Sequence, residues 1–470
     1  MTEVTRIFAE YCATIRWDGL PGTVQTRTRF LLLDLLGNIL RGRHDAESSL
    51  PLMAAARAMG HGAGHHAVFG EQSRWSPSGA ALLNGTFAHS LDFDDTHAAA
   101  TLHPGAPTIP AAIAAAELVG ARGEDVLAAI VAGYEVTNRL SLALPGGDHY
   151  DRGFHPTATC GAFGAAAAAG RVLGLNAAQM ADALGIALSQ CAGSLAFLHN
   201  GAWTKRFQVG WAALNGLSAA LLAREGFRGP SEAIEGRNGF LRAYAPNPDP
   251  ARAVRDLGHE FELMQTAVKP YPSCRYGHAA VDAALELRAR HGLKPDEIEH
   301  VTMGLPARGM ILIGDPVAYK QNPQNVVDGQ FSGPFVVANA LAYGHFGWDS
   351  YGLMQDPVLR ALMPKIFPQQ DPEVEAHFPQ NMAGNLTIRA RGGQVFESMV
   401  IVPKGEPGNF LTEAELRAKF HGLADAILGQ TQAAELVDAV LGLDQAADVQ
   451  ALTRLGTPLG GKAALRMAGE

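Results

Sequence analysis

Residues 161–170 read Gly-Ala-Phe-Gly-Ala-Ala-Ala-Ala-Ala-Gly, a stretch with one large side chain and nothing polar. Small residues let helices approach closely, so this run predicts a helix packed tightly among others and not one lying on a surface. Its surroundings repeat the helical spacing of apolar positions. Leu31, Leu32, Leu35, Leu36 and Leu40 fall on it, as do segments 111–119, 126–140, 159–173 and 177–188. Asn176, just ahead of the last segment, is a predicted N-cap. The first ~265 residues therefore predict an all-α bundle or an orthogonal helical array.

After Pro272 the pattern changes. Segments 296–305, 385–390 and 394–402 alternate as strands, with Gly392-Gly393 predicted as a tight hairpin turn. Helical segments 279–291 and 335–343 are interspersed, and Thr412-Glu413-Ala414-Glu415 has the form of a capping box before helical sequence resumes. The predicted fold class is mainly α. An all-helical domain formed by residues 1–266 and 408–470 carries an inserted, smaller α+β domain, 267–407. The proline-rich stretch 246–250 is the nearest thing to a boundary marker.

Composition excludes several functions. At 470 residues and 47% hydrophobic content the chain is long enough for two cores, and its formal charge of −9 argues against general nucleic-acid affinity. The N-terminal 20 residues carry Glu3, Glu10 and Asp18 and do not read as a signal or transit peptide, and no apolar run reaches membrane-spanning length. A cytoplasmic protein is expected. Cys12, Cys160, Cys191 and Cys274 form no C-x-x-C pair, and residues 456–462 lead into Ala463 where a phosphate loop needs a hydroxyl. No cofactor is expected.

Against this background one polar stretch stands out. His89-Ser90-Leu91-Asp92-Phe93-Asp94-Asp95-Thr96-His97, followed by His103-Pro104-Gly105, sets carboxylates, hydroxyls and imidazoles between alanine-rich apolar runs. Partly buried charges need partners, so the mixture predicts an active site.

Four stretches resemble the signatures of the MmgE/PrpD superfamily. They are Asp92-Phe93-Asp94-Asp95-Thr96-His97 with His103-Pro104, Phe154-His155-Pro156-Thr157, Thr204-Lys205-Arg206-Phe207, and Lys269-Pro270-Tyr271-Pro272-Ser273-Cys274-Arg275-Tyr276. That family contains 2-methylcitrate dehydratase, cis-aconitate decarboxylase and iminodisuccinate epimerase. The resemblance implies a helical domain with an inserted α+β lid, a homodimer, and chemistry without a metal. Proton transfer beside a substrate carboxylate needs an acid or base near neutrality and fixed cations around the developing charge. By resemblance His103 transfers the proton, Asp92 orients it or shares its proton, Thr96 hydrogen-bonds the substrate, and His155, Lys205 and Lys269 line the pocket. Arg275 is a further carboxylate partner because its fork accepts bidentate pairing.

Plainer roles exist for several of these residues. Asp94 and Asp95 also suit helix caps or arginine partners, Lys205 beside Arg206 a surface pair, His155 a helix start, and His278 and Cys274 packing. The chain departs from the family at Gln208, where relatives commonly carry histidine, and at Phe335, where many carry tyrosine. Both are counted among the substrate-binding positions. The expected activity is dehydration of a 2-methylcitrate-like acid, with cis-aconitate-type decarboxylation or iminodisuccinate-type epimerisation as the alternative. The expected partner is a small polycarboxylate. A metal-dependent enzyme built on the Asp-rich run, or a non-catalytic carboxylate-binding protein, are the readings from other classes.

Overall fold

The computed structural model describes residues 2–145 and 148–459. It is 61% helical with few small sheets, which makes the fold mainly α. The chain divides into two compact units, one taking residues up to Ala267 and again from Glu413, the other being Val268–Thr412. Among the described residues no helix is long and apolar enough to cross a membrane.

The alanine-glycine run forms the centre of the first unit. Helix Pro156–Val172 is buried at every position except Arg171, and helices Gly105–Val119, Gly123–Leu142 and Thr204–Arg224 pack around it. Its small residues are a geometric requirement. A Cβ at Gly164 would lie 1.8 Å from Thr137 Oγ1, so only glycine permits that crossing. Asn176 does cap helix Ala177–Leu188, in a reciprocal box with Gln179.

A buried ion pair ties the far end of this unit to its core. Arg139 Nε lies 2.7 Å from Glu135 Oε2, and the remaining guanidinium donors reach the carbonyls of Arg255 and Glu260. Glu135 Oε1 accepts from the Leu263 amide. Removing one partner of such a pair costs roughly 3–5 kcal/mol, so the segment is firmly held. It delivers strand Thr266–Ala267, which pairs antiparallel with Thr96–His97. The proline-rich stretch 246–250 lies inside this unit, where Asp249 caps the short helix Pro250–Val254. As a boundary marker it was misleading, because proline at a first helical turn serves local capping equally well.

The second unit is built on a four-stranded sheet in the order Ile366–Gln370, Ile298–Leu305, Gly384–Ala390, Val395–Val400. The first pair is parallel and the others antiparallel. Helices His278–His291 and Gly333–Tyr343 pack on it. The predicted tight turn is a three-residue connection: the Ala390 amide donates to Gln394 O, and Gly393 adopts φ +77°, which favours glycine. Phe335 is fully buried, its ring 5.7 Å from Tyr351 and 6.1 Å from Phe346.

Candidate active site

Helix ends in the first unit bring the polar stretch together. Helix Pro77–Ala88, capped by Ser76, stops where His89 begins the loop, and helix Gly105–Val119 starts two residues beyond His103. His155 is the N-cap of helix Pro156–Val172, with proline at the first position. Lys205 sits in the first turn of helix Thr204–Arg224 and Gln208 three residues further on, so the two share one face. Three helix N-termini therefore border the cluster, an arrangement that favours an anionic ligand.

The cluster has depth. In its outer layer Lys205 Nζ lies 2.8 Å from Asp92 Oδ1, and His103 Nε2 lies 4.0 Å from the same oxygen. These side chains keep 29%, 25% and 16% exposure for Lys205, Asp92 and His103. Beneath them Asp94 Oδ2 lies 2.8 Å from His89 Nδ1 and 3.3 Å from His103 Nδ1, with both Asp94 and His89 fully buried. The His89 and His103 rings meet edge to face at 4.6 Å, and His155 lies 5.9 Å from His89. Asp92 itself adopts φ +53°, an uncommon conformation for a non-glycine residue.

The orientation of His155 follows from its neighbour. Ser194 donates its amide to Gln208 Oε1 and accepts from Gln208 Nε2, which fixes the amide's direction. His155 Nδ1, 3.1 Å from that Oε1, is then the donor, leaving Nε2 as an acceptor. Gln208 thus takes a defined part in the site, holding the His155 tautomer.

Burial and charge separate the protonation states. Burial pushes His89 down to about 4, with Asp94 only partly offsetting it. Burial, then the nearby His89 and Lys205, hold His155 well below the usual histidine range. Burial alone would raise Asp94, but His89 and His103 together hold it well below the usual carboxylate range. Lys205 is raised because Asp92 outweighs its desolvation. At neutral pH the site therefore presents a charged Lys205 and Asp94 beside neutral His89 and His155. Among buried polar atoms, His89 Nε2, Asp94 Oδ1, Thr96 Oγ1 and His103 Nδ1 have no hydrogen-bond partner among the described residues, His103 Nδ1 facing Asp94 Oδ2 at ion-pair distance only. Such orphans concentrate where a ligand is bound or a proton moves.

Asp95 serves the scaffold. Its carboxyl accepts from the Gly105 amide at 3.2 Å and from Tyr134 Oη at 2.7 Å. The approach is close enough that a Cβ at residue 105 would lie 2.4 Å from Tyr134 Oη, so glycine is required there. Burial pushes Asp95 up to about 8. A carboxyl raised from 3.8 to about 8 keeps its proton in the native state while the unfolded chain loses it, so this residue's contribution to stability falls as pH rises across that window. Relative to Asp95→Asn, the wild type is expected to lose on the order of 2 °C of melting temperature per pH unit between pH 5 and 8. Parallel melting curves across that range would show that Asp95 is ionised throughout.

The sequence expectations are met unevenly by this geometry. His103, Asp92, His155, Lys205 and Gln208 converge. Thr96 is buried on the strand paired to Ala267, with its hydroxyl unpartnered. Lys269, Arg275 and Phe335 belong to the second unit: Lys269 is buried, Arg275 is paired with Glu406, and Phe335 is a core ring with no exposed surface. Two carboxylates stand beside His103: Asp92 Oδ1, which is also the partner of Lys205, lies 4.0 Å from Nε2, and Asp94 Oδ2 lies nearer, 3.3 Å from Nδ1. His89 and Asp94 were given no catalytic part by sequence reasoning. Their only signal was membership of the polar stretch set between alanine-rich apolar runs. Two imidazoles and a carboxylate with ligand atoms within 4.8 Å also make His89, Asp94 and His103 a set that a divalent ion accepts. Of these groups His89 Nδ1 and Asp94 Oδ2 are already hydrogen-bonded to each other at 2.8 Å.

The MmgE/PrpD N-terminal domain model matches residues 6–253 and the C-terminal domain model residues 271–445. The cis-aconitate decarboxylase-like protein oryM of Aspergillus oryzae is 29% identical, covering 96% of this chain and 97% of its own length. Cis-aconitate decarboxylase of Aspergillus terreus is 28% identical over 96% and 95%, and that of Homo sapiens 26% over 97% and 95%. With both domain models matched along most of its length, the chain belongs to the MmgE/PrpD family.

Proposed function

We propose that this protein is a lyase that decarboxylates a small tricarboxylate of the cis-aconitate type without a metal. The observation that carries the proposal is His103, 3.3 Å from Asp94 beneath it and partly exposed beside the Lys205–Asp92 pair. The bond to the departing carboxylate breaks, carbon dioxide leaves, and the electron pair spreads into the neighbouring double bond and carboxylate. His103 delivers a proton to the carbon that bears the charge, and Lys205 stabilises the carboxylate on which charge develops. Decarboxylase-named relatives spanning nearly the whole chain favour this reading over the dehydration of a 2-methylcitrate-like acid expected from sequence. Phe335, counted from the sequence among the substrate-binding positions, is a fully buried core ring.

Chelator-treated protein incubated in D₂O with cis-aconitate, methylcitrate, citrate and iminodisuccinate tests the proposal. Carbon dioxide release from cis-aconitate with one solvent deuteron in the product is expected by NMR. Water loss from methylcitrate without carbon dioxide would return the protein to the hydro-lyases, and activity restored only by added metal would overturn the metal-free part. Lys205→Met keeps the stem and deletes the charge. It is expected to raise KM about tenfold and to lower kcat as well, because the cation meets charge that grows in the transition state. The same substitution at Lys269 tests the second expected carboxylate partner, with unchanged kinetics excluding it. Sedimentation tests the expected homodimer.

A further inference from the structure

The catalytic loop is held from a direction the chemistry does not explain. Helix Glu413–Leu428, in the returning C-terminal segment, packs on helix Gly22–Asp45 and sends Lys419 inward. Its ammonium lies 2.5 Å from Asp34 Oδ1, and the two side chains keep 5% and 1% exposure. From that anchor it donates to the carbonyl of Phe93 at 3.0 Å and sits 3.9 Å over the Phe93 ring. Phe93 stands between Asp92, whose φ is +53°, and Asp94, which faces both His89 and His103.

A buried ion pair seldom stabilises a protein more than an apolar pair of the same size, so stability is a weak account of Asp34 and Lys419. Position is a better one. A left-handed backbone at Asp92 persists only when its surroundings over-determine it. Two fixed contacts do so here: Lys205 takes the Asp92 carboxylate, and Lys419 takes the next carbonyl along the chain. Burial raises Asp34 to about 6 even with Lys419 beside it and the Asn38 amide donating to its other oxygen at 3.4 Å.

We infer that Lys419 is a positioning residue for the active-site loop: anchored on Asp34, it holds the Phe93 carbonyl and so aims Asp92 at Lys205 and Asp94 at the two imidazoles. The catalytic consequence rests on the proposed function; the anchoring does not.

Lys419→Met alone leaves Asp34 uncompensated, so the deciding variant is Asp34→Asn combined with Lys419→Met, which removes both buried charges. Hydrogen exchange in the peptide covering residues 89–97 is expected to speed about tenfold, with exchange in helix Gly22–Asp45 unchanged. With cis-aconitate, kcat is expected to fall about 10- to 100-fold at nearly constant KM, the signature of misplaced groups and not of lost binding. Unchanged exchange in residues 89–97 overturns the inference whatever the kinetics. Faster exchange with wild-type kcat removes the catalytic role. A double variant that does not fold makes the pair a core-stability element and also overturns it. Wild-type protein without turnover on cis-aconitate counts against the proposed function alone, and exchange then decides the anchoring.

Discussion

His103→Ala is expected to lower kcat by about 10²-fold or more while leaving the melting temperature close to that of wild type. The separation follows from where the ring sits. Its side chain keeps 16% exposure and packs edge-on against His89, so truncation removes a proton carrier from the rim of the site and little from the core. Its two nitrogens face Asp94 and Asp92. Among the described residues of the cluster no other imidazole has the same access, because His89 is fully buried and held down to about 4, and His155 is turned onto Gln208. Activity within a few-fold of wild type would transfer the proton to another group. Loss of fold together with activity would assign His103 to structure.

Asp94→Asn is expected to cost about 10²- to 10⁴-fold in kcat, by losing both the charge and the tautomer it dictates. The native carboxylate oxygen lies 2.8 Å from one imidazole nitrogen and 3.3 Å from another. An amide that turns its NH₂ toward either ring reverses the donor there, and the proton on His103 then moves to the wrong nitrogen. Stability falls too. A carboxylate whose native value is depressed contributes stability above its unfolded value that is lost as pH falls through the native one, so at neutral pH the wild type has this contribution and the variant does not. Kinetics are therefore read well below the melting transition. Near-normal turnover in Asp94→Asn beside an inactive Asp92→Asn would restore Asp92 as the orienting carboxylate. The reverse pattern supports the geometry seen here.

Much of the fold was legible because it depends on local pattern. Helical periodicity in segments 111–119, 126–140 and 177–188 gave elements that the structure places at Gly105–Val119, Gly123–Leu142 and Ala177–Leu188. The alanine-glycine run announced close packing because no side chain in it reaches outward. Turn and boundary signals were weaker. Gly392-Gly393 marked a reversal without fixing its length, and the prolines of 246–250 marked a capped helix. These residues act through backbone dihedrals, which several local structures share.

The sequence by itself determined that this chain is mainly helical, that it belongs with the MmgE/PrpD proteins, and that carboxylates, hydroxyls and imidazoles gather in residues 89–103. Those are properties of residue type and spacing along the chain. Which carboxylate serves which imidazole was decided by the tertiary structure alone. Asp92, Asp94 and Asp95 are separated by one or two positions, yet one meets Lys205, one meets two histidines and one meets Tyr134. Their partners come from helices 39 to 113 residues away or from across a turn with a positive φ. Periodicity carries no information about such a loop. Its backbone is fixed by contacts made elsewhere, among them a lysine that the chain supplies 326 residues later.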